Sequence, residues 1–382
     1  MTVLKDVKER YSAWANSFEP TLCCAISYDK KYLEIIPKEV ITRDYGCGDP
    51  SKYVREWETV LDLGSGWGKI CFIAAQIVWK NWKVIWVDMT DDMLALARKS
   101  KAEVVEKMGY DNIEFKHWYI QDLKTDLDEV NKLVSKTNIK SASDYKELNE
   151  KIEKLKRELP MIADNSIDVI VSNCVLNLVS DDLKSELFKE MFRVLKIWGR
   201  IAVSDIVSDE ISPEHLKNDP NLWSGCLTWA FQEKEFLNEL DNAGFYWMTI
   251  DKYDETPWHV VEGIEFRSVT VLAYKWKQWA CKEKNQALIY KGPWKSVTDD
   301  DWHTFYRWDR MAVCAKTTNI MKSEPYSDQV IIVEPILEIT EDLDFDCSWK
   351  KVFRSPKETK SGVIRENTYS DTDNPCAGGS CC

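Results

Sequence analysis

Twelve cysteines run through this chain, and one of them, Cys174, lies in Val171-Ser172-Asn173-Cys174-Val175-Leu176-Asn177-Leu178, downstream of a turn that suits a nucleotide. That turn, Val60-Leu61-Asp62-Leu63-Gly64-Ser65-Gly66-Trp67-Gly68, follows a short apolar strand and opens an apolar helical segment from Lys69 to Val78. Alternating glycines let the backbone turn tightly and a ligand come close. About twenty residues on, Lys83-Val84-Ile85-Trp86-Val87-Asp88 reads as a second strand ending in an acid, placed to accept both hydroxyls of a ribose. The glycine spacing differs from the Gly-x-Gly-x-x-Gly of dinucleotide binders and favours S-adenosylmethionine. A glycine-rich turn in another doubly wound domain is the alternative reading of the turn taken alone.

The elements that must hold these groups alternate strand and helix. Strands are expected at 59–63, 83–88, 113–116, 167–172 and 200–204, with helices over 91–108 and 182–195. This is the rhythm of a doubly wound, mostly parallel α/β sheet, and its ligands bind at the carboxyl ends of the strands. On that rule Cys71 and Cys174 face the cofactor pocket, while Cys47 and Cys226 come from flanking segments. Residues 123–160 break the rhythm; Leu148, Ile152, Leu155 and Leu159 share one helical face, so we expect a helical surface insertion. The boundaries expected are 1–204 for cofactor binding, 205–280 for a mixed region, 281–354 for a β-rich C-terminal domain and 355–382 for a polar tail ending in Cys376, Cys381 and Cys382.

Composition narrows the classes. With 382 residues, 44% of them hydrophobic, the chain can bury a large core in more than one domain. A net charge of −13 disfavours nucleic acid and anionic membranes as partners. No apolar run approaches the ~20 residues of a membrane span, and the start carries no signal-like apolar core, so a cytoplasmic location is expected. Cysteines in such a setting read as thiols, soft-ion ligands or catalytic disulfides. No Cys-x-x-Cys pair occurs and the histidines are few and scattered, which argues against a zinc ribbon. Cys281, Cys314 and Cys347 read most simply as small buried apolar residues.

Several segments together carry a resemblance. Tyr45-Gly46-Cys47-Gly48, Asp62 to Cys71, Val87-Asp88-Met89, Ser172 to Leu178, Phe192-Arg193-Val194-Leu195-Lys196 and Trp223-Ser224-Gly225-Cys226 resemble, in order, the arsenite S-adenosylmethionine methyltransferase family. Val261 to Ser268 and Tyr290-Lys291-Gly292-Pro293-Trp294 extend the likeness, which runs from about Val7 to Cys347. The resemblance implies methyl transfer from S-adenosyl-L-methionine to trivalent arsenic, arsenic bound by Cys174 and Cys226 with Cys71, and Cys47 and Cys71 supplying electrons as a disulfide that a thioredoxin or glutathione-type reductant restores. For the cofactor it implies Asp62, Gly64, Gly66, Asp88, Met89, Ile120, Gln121 and Asn173. Region 205–280 becomes the arsenite-binding region. A methyltransferase acting on another small molecule explains the turn and Asp88 but leaves four cysteines without a use. A non-catalytic thiol protein that sequesters arsenic or metal leaves the cofactor fold without one.

The chain departs from the family at fourteen of its eighteen tryptophans: Trp14, Trp57, Trp67, Trp79, Trp82, Trp86, Trp118, Trp198, Trp229, Trp247, Trp276, Trp279, Trp302 and Trp308 stand where the family pattern carries glycine. Glycine is correspondingly scarce, at 14 residues or about 4%, and returning those positions to glycine restores the usual ~7%. We read them as UGA codons that the source organism translates as glycine, the alternative being genuine tryptophans that form an unusually aromatic surface. An indole is most out of place at Trp67 in the cofactor turn, at Trp198 and at Trp229.

Overall fold

A computed structural model of the chain describes residues 27–42, 46–217, 219, 222, 227, 229–276, 280–323, 326–347 and 353–361. The chain divides between Lys277 and Gln278 into two compact units.

The first unit is built on one sheet. Its parallel strands are β1 (Val60–Leu63), β2 (Val84–Asp88), β3 (Ile113–His117), β4 (Ile167–Asn173) and β5 (Leu195–Ser208). Near-continuous apolar runs such as Val169-Ile170-Val171 suit strands covered on both faces, and those residues are fully buried. β6 (Phe231–Gln232) pairs with β5; β7 (Tyr246–Tyr253), β8 (His259–Val261) and β9 (Ile264–Tyr274) complete the sheet, with β9 antiparallel to β5. The spatial order is β3-β2-β1-β4-β5-β9-β7. This is a Rossmann-like, mostly parallel sheet, as the alternating rhythm predicts. Part of the mixed 205–280 region thus belongs to the same sheet as the cofactor turn.

Helices cover the sheet. α1 (Lys69–Val78) is apolar nearly all round and correspondingly buried, while α2 (Asp91–Met108) keeps Met93, Leu94, Ala97 and Val104 inward and closes on a left-handed Gly109. The insertion forms α3 (Leu127–Ser135) and α4 (Ala142–Glu158), the latter started by a capping box between Ser141 and Asp144. Leu148 is buried and Ile152 and Leu155 are half-buried, but Leu159 is exposed. It lies one residue past α4 with φ −140°, so it has left the face that helical spacing assigned to it. α5 (Asp181–Val194) and α6 (Glu233–Asn242) pack in the core around Phe188, Phe231 and Phe236. Among the described residues no helix is long and apolar enough to cross a membrane.

The second unit is β-rich. β10 (Gln286–Tyr290) lies between β13 (Arg310–Val313) and β14 (Val330–Val333) in an antiparallel sheet; β11 (Ser296–Thr298) and β12 (Thr304–Tyr306) form a hairpin, and α7 (Ala315–Met321) follows β13. Leu288, Tyr290, Phe305, Met311, Val313 and Met321 make its core.

The backbone bears directly on the tryptophans. Trp57, Trp79, Trp198, Trp247, Trp302 and Trp308 have φ between 57° and 75°, the left-handed region that a β-carbon disfavours by roughly 1–2 kcal/mol. All six belong to the fourteen; Trp258 and Trp294, which do not, have ordinary φ. Around Trp198, Trp247 and Trp276, ring centroids approach to 3.8 and 4.1 Å, inside the roughly 4.5–7 Å usual for aromatic pairs. Trp67 and Trp229 are not left-handed, so the strain expected there does not come from φ. Trp86 fills the core between Phe72 and Phe115, and a β-carbon built on Gly68 would meet its ring at 1.7 Å.

Candidate active site

The cofactor turn leaves β1 and enters α1 through Gly64, Gly66 and Gly68, all with positive φ. A β-carbon on Gly64 would strike Val175 at 2.2 Å, so glycine there lets the turn meet the loop after β4. Around Gly66 the space is open to 4 Å. Asp88 ends β2 beside it, nearly fully buried; its Oδ2 accepts the Gly66 N–H at 2.9 Å and its Oδ1 the Thr90 N–H at 2.8 Å. Each oxygen keeps a second lone pair, which fits a pair of ribose hydroxyls. Burial raises its pKa, and these backbone donors oppose the rise. The open glycine and the anchored carboxylate fit S-adenosylmethionine.

Asp62 lies in the middle of β1. Its Oδ2 accepts the thiol of Cys71 at 2.9 Å, and both side chains are buried. Burial first, and then the nearby Asp88 charge, push Asp62 up to about 7 against the lowering hydrogen bond from Cys71. Burial and the Asp62 carboxyl likewise push the Cys71 thiol up. Cys71 is therefore held as a thiol in this state. Met89 offers its carbonyl to His117 Nε2 at 3.1 Å; Ile120 is buried in the core and Gln121 is half-buried beside it.

Asn173 closes β4 and clamps the loop that carries Cys47. Its Oδ1 accepts the N–H of Cys47 at 2.8 Å and of Gly48 at 3.3 Å, and its Nδ2 donates to the Gly48 carbonyl at 2.8 Å. A β-carbon on Gly46 would meet Asn173 Nδ2 at 2.4 Å, so glycine at that position allows the clamp. From the other side the Cys47 carbonyl accepts Ser268 Oγ at 2.6 Å and Lys252 Nζ at 3.0 Å. Cys174 follows with φ 55° and gives its N–H to the Ser204 carbonyl at 2.8 Å.

These constraints join the sulfurs of Cys47 and Cys174, with Cα atoms 5.8 Å apart. Asp205 stands with them, its carboxylate within 4.8 Å of both sulfurs. The sequence gives it no signal, since the apolar pattern ends the strand at Ser204, whereas β5 continues to Ser208. Asp205 accepts the N–H groups of Leu176 and Val175 and the amide of Asn177, fixing the turn after Cys174. Burial pushes it up to about 6 against those donors. Cys71 is not part of this cluster, and Cys226 lies outside the described residues.

Comparison with known proteins places the molecule. A methyltransferase domain family matches residues 55–159 and 151–244, and a domain family of unknown function matches 277–364. An arsenite methyltransferase of Aquipseudomonas alcaligenes is 30% identical over 73% of this chain and 73% of its own length. The chain belongs to the arsenite methyltransferase family. The human arsenite methyltransferase is 28% identical over 81% of this chain and 76% of its own. The crystal structure of an arsenic(III) S-adenosylmethionine methyltransferase from Chlamydomonas reinhardtii shares the fold, with TM-score 0.52 and 23% identity, covering 86% of this chain and all of that one.

Proposed function

We propose that this methyltransferase moves the methyl group of S-adenosyl-L-methionine onto trivalent arsenic held by its thiols. The convergence of Cys47 and Cys174 beside the cofactor turn, on a chain of this family, is the observation that carries the reading. Arsenite near neutral pH is an uncharged trihydroxide, so an acidic protein meets no electrostatic penalty in binding it. Trivalent arsenic is soft and prefers thiolate to carboxylate. The donor supplies an already activated methyl on a sulfonium.

The protein therefore contributes positioning and a dry site. Cys174 and Cys226, with Cys71, exchange hydroxides of arsenite for sulfur and release water. The arsenic lone pair then forms the As–C bond as the S–CH₃ bond breaks and its electron pair stays on sulfur. Arsenic is oxidised from III to V in that step. Two thiols return two electrons by closing a disulfide, which a dithiol of the thioredoxin type, or glutathione, reopens. In this reading Cys47, Cys71 and Cys174 are the described cysteines available for that step, and the approach of Cys47 to Cys174 supports it. Gly64, Gly66, Asp88, Met89, Ile120 and Gln121 hold the cofactor in this reading. Asp62 acts through Cys71, and Asn173 through the Cys47 loop. The region 205–280 contributes Cys226, which lies outside the described residues.

Incubation with arsenite, S-adenosylmethionine and a thiol reductant, followed by arsenic speciation, tests the proposal. Methylated arsenicals are expected. Cofactor binding with no methylated arsenic would point to a different small-molecule acceptor; arsenic binding with no cofactor binding would leave a sequestering protein.

A further inference from the structure

The second unit holds a thiol cluster that the methylation reading does not use. Cys281, Cys314 and Cys347, expected from the sequence to be separate packing residues, bring their three sulfurs within 4.8 Å of one another, and all three are free thiols. Backbone bonds build the arrangement. Ala315 N–H donates to the Lys282 carbonyl at 2.9 Å, Phe345 N–H to the Cys281 carbonyl at 2.7 Å and Glu283 N–H to the Leu343 carbonyl at 2.9 Å. The Cys314 and Cys347 segments are thus each tied directly to the Cys281 segment. The sulfurs line a cavity of about 360 Å³ shared with Asp301, His303 and Lys316. Cys314 is buried, Cys281 is half-buried and Cys347 is exposed, so a solute can reach the cluster from the Cys347 side.

We propose that Cys281, Cys314 and Cys347 form a second arsenic(III) site, a trithiolate in the C-terminal unit. The donor set decides between soft ions. Structural zinc takes four ligands in a tetrahedron, and among the described residues no histidine or carboxylate joins these sulfurs as a fourth. Trivalent arsenic needs only three, since its lone pair occupies the fourth direction, and thiolates are its preferred donors. Binding breaks three As–OH bonds and forms three As–S bonds. The three thiol protons leave with the hydroxides as three waters, and no electrons are transferred. Lys316, paired with Asp301 at 3.3 Å, places a cation near the sulfurs while they lose their protons. The site goes beyond methyl transfer and does not depend on it, because arsenic binds there whether or not a methyl group moves.

The test uses the reduced full-length chain, equilibrated with arsenite alone and freed of excess by gel filtration. Arsenic per chain is measured by mass spectrometry for the parent, for Cys281→Ser/Cys314→Ser/Cys347→Ser and for Cys347→Ser alone, whose exposed side chain can change without disturbing the fold. The triple variant is expected to hold one equivalent less than the parent. Cys347→Ser is expected to bind that equivalent at least about tenfold more weakly, as two thiols replace three. Equal arsenic content in all three proteins overturns the proposal. So does a zinc ion that the parent holds, the triple variant lacks and arsenite does not displace.

Discussion

Asn173 Oδ1 accepts the backbone N–H of Cys47 at 2.8 Å, tying the end of β4 to a loop 126 residues earlier in the chain. The cysteine that follows Asn173 is the one that meets Cys47, so this side chain, with Ser268 and Lys252 on the Cys47 carbonyl, positions the encounter of the two thiols. Asn173→Ala removes an acceptor and a donor that hold this loop, a loss of about 1–3 kcal/mol. Closure of the Cys47–Cys174 disulfide after reduction should slow about tenfold, as followed by thiol trapping and peptide mapping. An unchanged closure rate would show that Ser268 and Lys252 position the loop by themselves.

Asp88→Ala should weaken S-adenosylmethionine binding by roughly one to a few kcal/mol, since it removes a buried carboxylate that two backbone donors hold beside the open Gly66. Calorimetry reads this directly, and unchanged affinity would remove Asp88 from the cofactor site.

The thiols should separate by substrate. Cys174→Ser and Cys226→Ser are expected to abolish methylation of arsenite and of monomethylarsonous acid, because two thiolates are the fewest that can orient the lone pair. Cys47→Ser and Cys71→Ser should lose the arsenite step yet keep part of the activity on the monomethyl substrate, which has only two exchangeable hydroxides. Arsenic speciation after each reaction checks it; a Cys174→Ser protein active on either substrate would make that thiol a packing residue.

The folded Asp62 binds its proton up to about pH 7, whereas an unfolded aspartate releases it near 4. In between, the native state binds more protons, so its stability falls as pH rises from about 4 to 7 and stays lower above that. Asp62→Asn should therefore stabilise the protein at pH 8, by on the order of a few kcal/mol, and change little at pH 4. Removing that negative charge should also lower the pKa of Cys71. Urea unfolding at the two pH values, with thiolate absorbance for Cys71, measures both; equal stability change at pH 4 and pH 8 would refute the linkage.

Trp57, Trp79, Trp302 and Trp308 combine left-handed backbone with side chains 58–70% exposed, so each indole brings strain and little packing. Replacing each by glycine should raise unfolding free energy by about 1 kcal/mol, while Trp258→Gly and Trp294→Gly should not stabilise. Peptide mass spectrometry of the native protein should find glycine at the fourteen positions. Tryptophan masses there would end the codon reading.

Local pattern was enough for much of this molecule. The glycine turn, the acid ending β2 and the apolar strands are legible because backbone conformation and two-sided burial act on neighbouring residues, and these placed Gly64, Gly66, Asp88 and Cys71 at one end of the sheet. The family likeness named the chemistry that the thiols could do. What tertiary structure decided is which distant groups meet. Asp205 joins Cys47 and Cys174 only because β5 runs past Ser204 and lies beside β4. Asp62 and Cys71 share a hydrogen bond only because the strand and the helix pack face to face. Cys281, Cys314 and Cys347 look like three unrelated apolar positions until backbone bonds between remote segments close them into a cluster. Sequence carries periodicity and propensity, which are local; the distance between two sulfurs depends on how the chain closes its long loops, and no window of residues contains it.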